Sequence, residues 1–218
     1  MKCLYELPST IIPSAKYIFF LHRKIVEEYG PNGMHPCFGI YDYHGIVNSF
    51  ANCGFTVISE IRLQGTKLDK YAGKIARQVT TLLANGIPPE QITVAGFSKG
   101  ATIALLVSSK LKNPGINFVV MGLCGHNGAR VRKHYNKLLV QSVQFMEGRF
   151  LSIYDFSDLK CADCQRILKN VSAKATFKEI KVKNGLGHSL FYRPRIDWFK
   201  PVVEWINQNL RYGIKKYS

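Results

Sequence analysis

The sequence has 218 residues, enough for one domain with a sizeable core. Its hydrophobic fraction of 46% suits a soluble globular chain, and apolar runs such as FVVMGL are strand-sized, far short of a membrane span. The 30 Lys and Arg against 14 Asp and Glu give a net charge of +16. That favours anionic partners, but the cations are dispersed and carry no RNA- or DNA-binding signature, so no specific nucleic acid is expected.

Residues 1–14 read as an N-terminal extension. They lack the long apolar stretch and small-residue cleavage site of a secretory signal, so a cytoplasmic protein is expected. Residues 15–22 are strand-like. Residues 39–54 place apolar side chains at helical spacing and stop on Gly54. A strand is expected at 55–61, then a strongly amphipathic helix at 67–86, again stopped by glycine. A strand at 91–97 passes straight into a helix at 99–113. An apolar strand at 116–123 leads to a short insert, 125–147, carrying one basic helix at 129–143. Strands at 148–156 and 175–183 follow, then a helix at 196–210 with Pro201 near its start. This alternation predicts βαβ units in a single domain spanning 1–218: a three-layer α/β/α sandwich on a mostly parallel central sheet. The near-continuous apolar strands agree, because such a sheet is buried on both faces. Ligands then bind beyond the carboxyl ends of the strands.

The junction between the strand at 91–97 and the helix at 99–113 holds the pattern Gly96-Phe97-Ser98-Lys99-Gly100. A nucleophile there needs a tight, strained turn that projects its hydroxyl outward, and glycine two residues either side removes the collisions. The free N–H groups of the following helix point at the same spot. A serine nucleophile also needs a base, and the base an orienting acid. Both lie downstream, each after its own strand: Asp155 and Asp158 in YDFSD, and His188 in the glycine-bearing loop NGLGHSLFY. The histidines at His35, His44 and His134 lie in loop or helix contexts that offer no such partners.

GFSKG at 96–100, YDFSD at 154–158 and GLGHS at 185–189 resemble the α/β-hydrolase superfamily, over nearly the whole chain. The resemblance implies a compact fold with no large cap, and an esterase-like activity with Ser98, His188 and Asp158 as the triad. In that family the strand before the acid commonly ends in Gly-x-x-Asp. Aligned so, Asp155 takes the glycine position and Asp158 the acid, with Asp155 kept as its rival. The resemblance also implies an oxyanion hole made of two backbone N–H groups, from Lys99 and from Arg23. Here His22-Arg23-Lys24 stands where the family often has His-Gly. No metal and no organic cofactor is called for.

Arg23, Lys24 and Lys99 crowd the expected mouth, and Arg130, Arg132, Lys133 and Lys137 follow in the insert. They point to a small-molecule ester-type substrate that is itself anionic. His22, Lys24 and Cys124 are its expected contacts, and Glu60 with Arg62 an expected ion pair at the sheet's edge. The lone Cys161–Cys164 pair, with Cys124 and His126 the only other tempting ligands, reads as reduced thiols and not as a metal site. From another class, the chain reads as a non-catalytic protein of the same fold that holds an anionic ligand or nucleic acid through its basic surface.

Overall fold

A computed structural model of the chain describes residues 4–123, 139, 141–158 and 171–217. Cys124, His126, Cys161, Cys164 and most of the expected insert at 125–147 lie outside the described residues.

The central strands form because their sequences are apolar on both faces. β1 (Lys16–Leu21) is followed by the short helix α1 (Lys24–Tyr29) and by a two-residue hairpin of β2 (Met34–His35) and β3 (Gly39–Ile40). α2 (Tyr43–Asn52) leads to β4 (Phe55–Ile58), and α3 (Leu68–Ala84) to β5 (Ile92–Phe97). α4 (Lys99–Leu111), β6 (Asn117–Met121), β7 (Gly148–Asp155), β8 (Ala175–Val182) and α5 (Ile196–Tyr217) complete the described elements. Strand order is β4-β1-β5-β6-β7-β8, and every pairing in this six-stranded sheet is parallel. The sheet is covered on both faces. One core joins α3 and α4 to residues such as Phe19, Val94 and Phe118. The other joins α2, α5 and the 3-10 helix Gly187–Tyr192 to Ile18, Ala95 and Ile153.

The structure departs from the expected elements near the start of the chain. The helix expected over 39–54 begins at Tyr43, because the Asp42 side chain accepts from the Gly45 N–H at 2.8 Å and caps it there. Gly39, at φ 75°, belongs to the hairpin instead. α1 had no sequence signal, since six residues are too few to show a helical period. The N-terminal extension is tied to the sheet: the Leu4 N–H donates to Val57 O and Leu4 O accepts from the Ser59 N–H, at the outer edge of β4.

The topology fixes where chemistry can sit. From β1 the chain steps outward to β4, then returns to place β5 on β1's other side. The carboxyl ends of β1 and β5 therefore flank the switch point of the sheet, the place where sheets of this kind bind ligands. Leu21 pairs with Gly96. Continuing that register past both strand ends sets Arg23 opposite Ser98. Among the described residues, no helix is long and apolar enough to cross a membrane.

Candidate active site

Ser98 stands at the end of β5 with φ 55° and ψ −111°, a backbone conformation that L-residues adopt only under strain. Serine at this position of a helix ordinarily caps it, yet the Ser98 side chain makes no capping hydrogen bond to α4. Backbone holds the turn in place: the Ser98 N–H donates to Met121 O at 2.9 Å. The two flanking glycines answer to different neighbours. A Cβ on Gly96 would lie 2.2 Å from Gly100 O, across the turn. A Cβ on Gly100 would lie 1.8 Å from Leu21 O and 2.8 Å from His22 O, on the adjoining strand end. Gly100 thus brings the β1–α1 loop, with Arg23, into direct backbone contact with the turn.

The structure brings His188 and Asp158 together. His188 Nδ1 and Asp158 Oδ2 are 2.6 Å apart, both side chains nearly sealed from solvent. The imidazole lies against the turn. Its centroid is 4.8 Å from that of Phe97, the residue before Ser98. A Cβ on Gly122, next to Met121, would meet His188 Cε1 at 3.3 Å. Phe38 from the hairpin closes another side at 6.0 Å.

Asp155 is fully buried and otherwise engaged. Its Oδ1 accepts from the Ser157 N–H and hydroxyl at 2.7 and 2.6 Å, and its Oδ2 from the Leu186 N–H at 3.3 Å. It therefore ties the turn that carries Asp158 to the loop that carries His188.

Around Glu27 the charged residues sort themselves differently from expectation. The Glu27 carboxylate, almost wholly buried, takes Arg62 Nε at 2.8 Å and Lys99 Nζ at 2.5 Å. Lys99 Nζ also donates to Thr66 O at 3.1 Å. Its charge is thus turned back into the protein, away from the mouth. Arg62 does not pair with Glu60, which takes Lys74 at 2.8 Å instead.

His22, expected to touch substrate, is fully buried. Its Nε2 accepts from the Arg62 N–H at 2.9 Å, which leaves Nδ1–H to donate to Arg23 O at 2.8 Å. The Arg62 guanidinium donates to His22 O as well. Burial above all, together with the charge of Arg62, holds the His22 pKa well below 6.5, so the ring is neutral and acts as a brace for the Arg23 loop. Lys24 is exposed and pairs with Glu28 at 2.5 Å, one helical turn on.

The Arg23 guanidinium differs from these. It lies 4.7 Å over the Tyr192 ring and 5.4 Å over the Phe97 ring. Burial lowers its pKa to about 10, with Tyr41, Asp158 and Glu28 opposing the shift. It remains a cation at neutral pH. Sequence reasoning missed Glu27, Tyr41 and Tyr192. Only the register of β1 against β5 and the packing of the hairpin bring them to the site.

By sequence, the chain matches no protein-family model and no curated protein. By structure it is similar to several hydrolases. An esterase of Rhizomucor miehei superposes with a TM-score of 0.59 at 15% identity, over 98% of this chain and 79% of that one. A sugar hydrolase of Lactococcus lactis gives 0.59 at 12% identity, over 96% and 94%. A monoacylglycerol lipase of Paleococcus ferrophilus gives 0.54 at 12% identity, over 88% and 94%. The fold is that of the α/β-hydrolases. In that fold Ser98 occupies the sharp turn after the central strand β5, and the β1–α1 loop faces it across the switch point.

Stability measurements check this description. Gly100→Ala should cost about 3 kcal/mol or more in urea denaturation, because backbone opposes the new methyl group. Gly86→Ala, at φ 79° with nothing within 4 Å, should cost only about 1 kcal/mol. Glu27→Gln leaves Arg62 and Lys99 facing a neutral amide and should cost about 3–5 kcal/mol. For His22 the folded pKa is depressed, so the unfolded chain binds the proton first. Stability should fall as the pH drops below 6.5, and His22→Asn should flatten the slope of Tm against pH there.

Proposed function

We propose that the chain is a serine hydrolase that cleaves an ester-type bond, carried by an anionic substrate, through an acyl-enzyme. The observation that carries this reading is the 2.6 Å His188–Asp158 pair packed against a strained, uncapped serine turn. The esterase and the lipase among its structural neighbours support ester chemistry.

In this reading Asp158 accepts from His188 Nδ1–H. That fixes the tautomer in which Nε2 is free to act as base. Ser98 Oγ attacks the carbonyl carbon as its proton passes to Nε2. The oxygen that gains charge is received by the backbone N–H groups of Lys99, first in α4, and of Arg23. Collapse returns the proton from Nε2 to the departing alcohol oxygen. Water then repeats the cycle on the acyl-serine and releases the acid. The strain at Ser98 keeps its hydroxyl off the helix and available for attack. Asp155 serves this arrangement only by holding the two loops together.

The non-catalytic alternative parts from this reading at Ser98. A fluorophosphonate probe should label the wild-type protein and leave Ser98→Ala unlabelled; an unlabelled wild type would favour the binding protein. Asp158→Asn should fold normally and lower kcat by about 10⁴, since the imidazole then takes the wrong tautomer. Asp155→Asn should instead act on stability, lowering Tm.

A further inference from the structure

Seven buried side-chain polar atoms find no hydrogen-bond partner among the described residues, and four of them fall in one place: Arg23 Nε and Nη1, and the hydroxyls of Tyr41 and Tyr192. These three side chains are neighbours. The Tyr41 and Tyr192 rings meet edge to face at 5.5 Å, and Arg23 Cζ lies 4.7 Å over Tyr192. Phe97 floors the group, stacked 6.2 Å from Tyr41, and also lies 4.8 Å from His188. Orphaned donors cost free energy, so a cluster of them beside a reactive turn calls for a group that satisfies them.

The surrounding charge pattern narrows that group. Lys99 is committed to Glu27 and Lys24 to Glu28, while Arg23 makes no ion pair among the described residues. A guanidinium offers a rigid planar fork that matches two oxygens of a carboxylate or phosphate. Aromatic faces shield it from water without using its N–H groups, which strengthens such a contact. The fork also belongs to the residue whose backbone N–H is proposed for the oxyanion hole. A single side chain's length therefore separates the anion from the reacting carbonyl.

We propose that the Arg23 guanidinium, helped by the Tyr41 and Tyr192 hydroxyls, grips a carboxylate or phosphate borne by the substrate itself. The substrate class is then a short ester with an oxyanion a few bonds from the scissile carbonyl, and Arg23 is its specificity-determining residue. This rests on the serine-hydrolase reading and adds the group by which that hydrolase selects its ester.

The test compares isosteric pairs by pH-stat: monomethyl glutarate against methyl pentanoate for an acyl-side carboxylate, 3-acetoxypropanoate against propyl acetate for an alcohol-side one, and 2-acetoxyethyl phosphate against butyl acetate for phosphate. At least one anionic ester should show a kcat/KM about 10- to 100-fold above its neutral partner. The pair that shows it identifies the oxyanion and its side. In Arg23→Met that ratio should fall to about 1, whatever happens to the absolute rates. In Arg23→Lys and Tyr192→Phe it should fall only in part, which also guards against misfolding of the methionine variant. No preference in any pair, or a preference that survives Arg23→Met, overturns the proposal. Failure of the hydrolase reading looks different: no labelling by fluorophosphonate and no turnover of any ester. Calorimetric titration of glutarate and inorganic phosphate then decides alone. Binding by wild type that Arg23→Met abolishes supports the anion site, and absence of binding overturns it.

Discussion

One buried carboxylate, that of Glu27, fixes the charged side chains around the site. An ion this deep is costly unless its partners surround it, and Glu27 has two cations, Arg62 and Lys99, on its two oxygens. Each cation then does a second task. Arg62 braces His22 by its backbone N–H and guanidinium, and His22 in turn holds Arg23 O. Lys99 anchors the first residue of α4 to Thr66 O in the loop before α3. The ends of three strands, β1, β4 and β5, are thereby locked to one point. The backbone groups that face the serine inherit that rigidity, and a preformed arrangement of donors is what electrostatic stabilisation requires.

Steric exclusion complements this network. Gly96 lets the serine turn close on itself, and Gly100 lets the β1–α1 loop lie directly on the turn. The first contact sets the exposure of one hydroxyl. The second sets which residue faces it. Asp155 does the corresponding work on the far side of the sheet, binding the ends of β7 and β8 so that His188 and Asp158 meet at 2.6 Å.

The net charge of +16 is a poor guide to the local field. Two of the three cations that crowd the site in sequence are spent on neighbouring glutamates, and the third is left bedded on aromatic rings. Position in the chain therefore says little about which charge a ligand meets. Pairing decides it, and pairing is set by elements far apart in sequence.

The sequence by itself determined the alternation of strands and helices, the parallel sheet and the serine turn. Those features follow from local causes: apolar runs, helical periodicity, caps, and glycines spaced two residues either side of Ser98. It also carried the chain order of Ser98, Asp158 and His188. It left Asp155 beside Asp158, because the two are three residues apart at the end of one strand and only the fold shows which faces the imidazole. It gave no sign of α1, of the hairpin, or of Glu27, Tyr41 and Tyr192, and it placed Arg62 with the wrong partner. Those assignments depend on strand register and on which side chains packing brings within a few ångströms. Long-range packing leaves no periodic trace in the chain, so the identity of the brace and of the unpaired guanidinium belonged to the tertiary structure alone.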